Sequence, residues 1–122
     1  MSTLPSEGTP VLDAEALERL RGLGGESLVQ RMIALFLEHA PERASAAVSA
    51  LAAGHVEDVE RAAHSLKSTA ANLGTLRLRS LAERIERTAA DHGDGLADLV
   101  AQIMPSVEEA AHALQLERKD AT

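Results

Sequence analysis

From Glu26 to Ala53 the apolar residues Val29, Ile33, Phe36, Ala40, Ala47 and Leu51 return at steps of three, four or seven. That spacing predicts a long helix with one buried stripe. Pro41 lies inside it, and an interior proline removes a hydrogen bond and crowds the carbonyl four residues back, at about 3 kcal/mol. The stripe resumes beyond it, so a kink near Leu37 is expected rather than two helices. Gly54 ends the pattern. A second run, Val56, Val59, Ala63, Leu66, Ala70 and Leu73, steps by three and four until Gly74, a residue suited to a left-handed helix cap. A third spans about Thr75 to Ala90 through Leu78, Leu81, Ile85 and Thr88 and stops at "DHGDG". A fourth runs from about Leu96 to Glu117 through Leu99, Ile103, Val107, Ala110 and Leu114, with a kink expected at Pro105.

Ahead of these, Asp13 is placed to N-cap a short helix, "AEALERLRGL", with Glu15 favourable in its first turn and "GLGG" (Gly22–Gly25) as its stop. Residues 1–11 hold two prolines and a glycine without periodicity and read as a disordered tail; residues 118–122 read as a second tail. No strand pattern or repeat interrupts the series. The expected fold is all-α: an antiparallel four-helix bundle over residues 12–117, with a short additional N-terminal helix.

Composition narrows the chemistry. In 122 residues there is one Phe, no Trp or Tyr, and no Cys, so the core is built of small aliphatic groups and thiolate chemistry is excluded. A net charge of −7, with neither a basic stripe nor stacking aromatics, argues against nucleic-acid binding. No apolar run approaches the roughly 20 residues of a membrane span, so a soluble, cytoplasmic protein is expected. A di-metal carboxylate bundle needs two Glu-x-x-His motifs, and only Glu109–His112 fits. His39, His55, His92 and His112 are too scattered for a zinc site. No metal or cofactor of its own is expected.

The informative stretch is "AAHSLKSTAANLG", Ala62 to Gly74. At about 100° per residue, His64 lies about 160° from the core residue Leu66, with Lys67 about 60° away one turn on and Ser68 about 40° away. An exposed neutral imidazole is a nucleophile at neutral pH. Lys67 is placed to neutralise an incoming phosphoryl group, and the small residues Ser68 and Ala71 allow close approach by another protein. His64 is ten residues before Gly74 and Glu86 twelve after it, so an antiparallel hairpin sets both roughly 15–18 Å from the turn. Glu86 is therefore a candidate to orient the imidazole, with Glu83 or Arg87 as alternatives for that space. The plainer alternative is a surface pair between Glu60 and His64, worth a few tenths of a kcal/mol.

"AHSLKSTAANLGT" resembles the signature of histidine phosphotransfer (HPt) domains, H-x-L-K-G-S-[SA]-x-x-L-G, with His64, Leu66, Lys67, Leu73 and Gly74 in register. The flanking "LDAEALERLRGLGGESLVQRMIALFLEHAPE", "ALAAGHVEDVERAAHSLK" and "LAERIE" are similar to the family's surrounding helices, so the resemblance spans roughly residues 12–115. It implies a four-helix bundle without kinase or ATPase activity. In that family the histidine takes a phosphoryl group from a receiver-domain aspartyl phosphate and passes it to another receiver's aspartate, with Mg²⁺ supplied by the receiver. By resemblance His64 is the phosphorylated residue and Lys67 the phosphate-stabilising one. Glu86 falls where some members carry a glutamine that bonds the histidine. Ser68 replaces a common glycine and offers a hydroxyl to the phosphate. The implied partners are response-regulator receivers or a hybrid histidine kinase, and a monomer is expected. Docking is expected around His64, through Glu60, Ser68 and Ala71, with Met32 and Leu35 of the preceding helix as further apolar contacts and Arg43 or Ala44 level with the histidine. The rival reading is an HPt-like module that docks on a receiver or kinase and blocks it without transfer.

Overall fold

The structure, a computed structural model, describes residues 8–120. Five helices account for it: α1 (Ala14–Ala52), α2 (Val56–Leu73), α3 (Leu76–Ala90), α4 (Leu96–Ala101) and α5 (Ile103–Asp120). Helix α2 packs between α1 and α3, while α5 packs against α1 and α3 and closes the bundle. Short connections at Gly54, Gly74 and Gly95, each with positive φ, reverse the chain between neighbours. Among the described residues there is no strand, and no helix is long and apolar enough to cross a membrane.

The apolar stripes meet in one core. Phe36, Leu17, Ile33, Leu66, Leu73, Leu78, Ile85, Ile103 and Leu114 are its largest fully buried side chains. Alanines fill the spaces between them: Ala40, Ala44 and Ala47 on α1, Ala63 and Ala70 on α2, Ala82 on α3. In α1 the expected Leu51 is only half-buried, and Ala44 and Ala50 complete the inner face. A 3.6-residue period drifts by about 20° per heptad, and that drift carries the stripe off the seven-residue spacing.

The leading helix runs through Gly22, Leu23 and Gly24 and breaks at Gly25 (φ 74, ψ −172), the last residue of the expected stop, and α1 resumes at Glu26. Arg21 spans this break, with Nη1 to Glu18 at 2.5 Å and Nε to Glu26 at 2.7 Å. Glu26 also accepts from Gln30 Nε2, and Arg21 foremost holds its carboxyl below the usual range. Pro41 is accommodated without a departure from helical φ/ψ at Leu37; buried Phe36, Ala40 and Ala44 on both sides hold the helix to its partners. The last stretch divides at Gln102, which separates α4 from α5 and leaves Pro105 in the first turn of α5. There a missing N–H is least costly.

Residues 1–7 of the expected N-terminal tail lie outside the described residues; in the rest, the Thr9 carbonyl accepts from Arg77 Nε at 2.8 Å, and Arg77 also pairs with Glu109 of α5. At the other end α5 extends to Asp120, and Arg118 Nε donates to Gln30 at 3.2 Å.

Candidate functional site

Helix α2 needs no side-chain cap to begin, and Gly74 ends it at φ 71, ψ 26. Thr75, fully buried, returns a hydroxyl bond to the Ala70 carbonyl and starts α3. This two-residue reversal fixes the register of the α2–α3 hairpin and so decides which side chains meet halfway along it.

His64 meets Glu86. Its Nδ1 lies 2.6 Å from Glu86 Oε2, and its side chain is 62% exposed. The other carboxylate oxygen, Oε1, lies 2.5 Å from Lys67 Nζ. One carboxylate thus bridges the two residues singled out in "HSLK". Hydrogen bonding from Lys67 foremost, and from His64 second, holds the Glu86 carboxyl below its usual range, while partial burial pushes the other way. Ionised, Glu86 can only accept, so the proton of a neutral His64 ring sits on Nδ1 and Nε2 keeps its lone pair. The site presents an exposed imidazole whose orientation Glu86 fixes.

The alternatives for that space resolve by contact. Glu83 and Arg87 pair with each other at 3.6 Å on the exposed side of α3. Glu60 is half-buried and lines, with Glu57, Arg61, His64 and Glu86, a depression beside the ring; the carboxylate bonded to the imidazole is Glu86. Lys67 is half-buried and engaged with Glu86, where the sequence placed it simply beside the ring.

A family model, the Hpt domain, matches residues 31–117. The chain belongs to the Hpt domain family. Its members are histidine phosphotransfer modules. The match takes in His64, Lys67 and Glu86; the leading arm of α1, where the resemblance was also drawn, precedes it. Among solved structures, histidine-containing phosphotransfer protein B (HptB) from Pseudomonas aeruginosa PAO1 is similar, with a TM-score of 0.83 at 22% identity. The likeness covers 92% of this chain and 97% of that one, and at this identity it speaks to the fold. No curated protein sequence matches the chain.

The remaining surface of this Hpt domain sorts as follows. Ser68 and Ala71 are exposed on α2 near His64. Leu35 is 44% exposed on α1, whereas Met32 is half-buried and packs on the core. Of the two α1 residues expected level with His64, Ala44 is fully buried; Arg43 is exposed and donates from Nε to Ser65 Oγ at 3.1 Å. Glu57 and Arg61 went unremarked in the sequence, although they precede His64 by seven and three residues and so share its face. Among the described residues no three His, Cys, Asp or Glu side chains group as metal ligands.

Proposed function

We propose that His64 accepts a phosphoryl group from the aspartyl phosphate of a receiver domain and passes it to the aspartate of another receiver. One observation carries the reading: the 2.6 Å contact of Glu86 with Nδ1 of an imidazole that is otherwise exposed. The Nε2 lone pair attacks phosphorus, the Nε2–P bond forms, and the P–O bond to the donor aspartate breaks with its electron pair returning to the carboxylate. The onward step reverses these changes on the acceptor.

Lys67 is the phosphate-stabilising residue. An ammonium carries three donors, so Lys67 can keep Glu86 and still offer a proton to a phosphoryl oxygen. Ser68 contributes a second donor from the next position. Glu60, Ser68 and Ala71 form the docking margin on α2, and Leu35, with the exposed edge of Met32, extends it on α1. Mg²⁺ comes with the receiver, and the domain acts as a cytoplasmic monomer without kinase activity of its own.

The test is transfer of radiolabel from a panel of phosphorylated receivers to wild type and His64→Gln side by side. The expected result is acid-labile, base-stable label on wild type alone. Binding without label from any receiver would overturn transfer and leave a docking module.

A further inference from the structure

Glu86 is a shared carboxylate, with one oxygen on the imidazole and the other on an ammonium. Orienting the ring requires only an acceptor, which an amide oxygen would supply equally well. A full negative charge does something further once the ring carries a phosphoryl group. With phosphorus on Nε2 and the proton still on Nδ1, the ring is cationic, and the group that leaves during onward transfer is a neutral imidazole. If Nδ1 lost its proton, the leaving group would be an imidazolate, far more basic and correspondingly slow to depart.

Resting on the functional reading above, we infer that Glu86 is a positioning residue that holds the Nδ1 proton on phosphorylated His64 and thereby keeps the phosphoryl group transferable. The step balances: the Nε2–P bond breaks, its electron pair returns to Nε2, the acceptor's carboxylate oxygen bonds to phosphorus, and the Nδ1 proton stays in place. Lys67 has a second part in this. A carboxylate beside a cationic ring could take the proton itself, and the ammonium on Oε1 opposes that by keeping Glu86 ionised.

Other charges near the ring largely offset one another. On α2 they are Glu57, Glu60 and Arg61 along the depression; on α3, Glu83 and Arg87; on α1, Arg43, bonded to the adjacent Ser65. None of these is in the hydrogen-bonded contact that Glu86 makes, so its effect should stand out against theirs.

The full chain, ¹⁵N-labelled at histidine, is phosphorylated with phosphoramidate. The ¹⁵N shift of the phosphorylated ring and the loss of its ³¹P signal are then followed against pH. A neighbouring opposite charge shifts a pKa by about 1–3 units, and sharing with Lys67 puts this case at the lower end. Glu86→Gln, which keeps the shape and an acceptor, should lose the Nδ1 proton about one pH unit lower than wild type. Above that point its phosphohistidine should decay about tenfold more slowly. Glu83→Gln, which removes a nearby charge without touching the ring, should move both readings by less than a third as much. Equal behaviour of wild type and Glu86→Gln, or equal shifts from the two variants, would overturn the proposal while leaving phosphotransfer intact. Absence of a phosphohistidine signal in wild type with phosphoramidate and with phosphorylated receivers alike would overturn the functional reading itself, and this inference with it.

Discussion

Gly74→Ala tests how the bundle fixes the register of its site. The residue sits at φ 71, where a side chain is strained, at about 1–2 kcal/mol. An added Cβ would also lie 2.5 Å from Ala16 Cβ and 3.0 Å from the Asp13 carbonyl oxygen. It would enter the seam where Asp13 N–H donates to the Gly74 carbonyl at 2.8 Å and seats the start of α1 on the α2–α3 turn. Overpacking of this kind adds about 1–3 kcal/mol. Together the two effects give roughly 2–4 kcal/mol, allowing for partial relaxation. With a urea slope of about 1.5 kcal/mol per M, the unfolding midpoint should fall by roughly 1.3–2.7 M. A double-mutant cycle separates the two causes. In the Ala16→Gly background the clash with Cβ is relieved and the backbone strain is not, so Gly74→Ala should cost about 1 kcal/mol less there. A loss below about 0.5 kcal/mol for Gly74→Ala would refute the assignment of this residue, and strict additivity would refute the clash.

Two further predictions follow from side-chain pairing. Because the folded-state carboxyl of Glu86 is held below its unfolded value, its contribution to stability is present above the unfolded pKa, about 4.3, and is lost as pH falls through the lower folded value. Glu86→Gln should therefore flatten the acid limb of a stability-against-pH curve measured by urea unfolding between pH 7 and pH 3, and an unchanged limb would contradict the pairing. Arg77→Ala removes the contacts to the Thr9 carbonyl and Glu109. Limited proteolysis should then cut near Thr9 several-fold faster while global stability falls by less than about 1 kcal/mol, as for a partly exposed pair.

The helical series and its core were legible because period and burial are tied by geometry. Val59, Ala63, Leu66, Ala70 and Leu73 fall on one side of α2 at any register, and all five are buried. Residue counts set His64 level with Glu86 across the hairpin but left Glu83 and Arg87 as alternatives, and the 2.6 Å contact with Glu86 decides among them. Local signals were weaker where several packing contacts compete with one residue's preference. The stretch Gly22–Gly25 read as a stop, and the packing decides where within it the helix gives way: Gly22 and Gly24 stay helical and the break falls at Gly25, where φ turns positive. Pro41 stays inside the helix, where the buried residues Phe36, Ala40 and Ala44 around it offset a local cost of about 3 kcal/mol. The pairing of Lys67 with Glu86 was not legible, because a lysine side chain reaches in many directions and spacing along one helix does not fix its partner on another.

That last contact changes what the "HSLK" stretch means. A lysine three residues after a histidine looks like a phosphate-binding group waiting for its ligand. In the folded chain its ammonium already has a carboxylate, and that carboxylate has the histidine. The imidazole is therefore not isolated: its hydrogen-bond partner comes from α3, and that partner's charge is paired from α2. Both links depend on how α2 and α3 lie against each other, and side chains as small as Ala63, Ala70 and Ala82 fill the core on those two helices. A change that moved the helices apart would take Glu86 out of reach of the ring, and the imidazole would lose its hydrogen-bond partner even though His64 and Lys67 were unchanged.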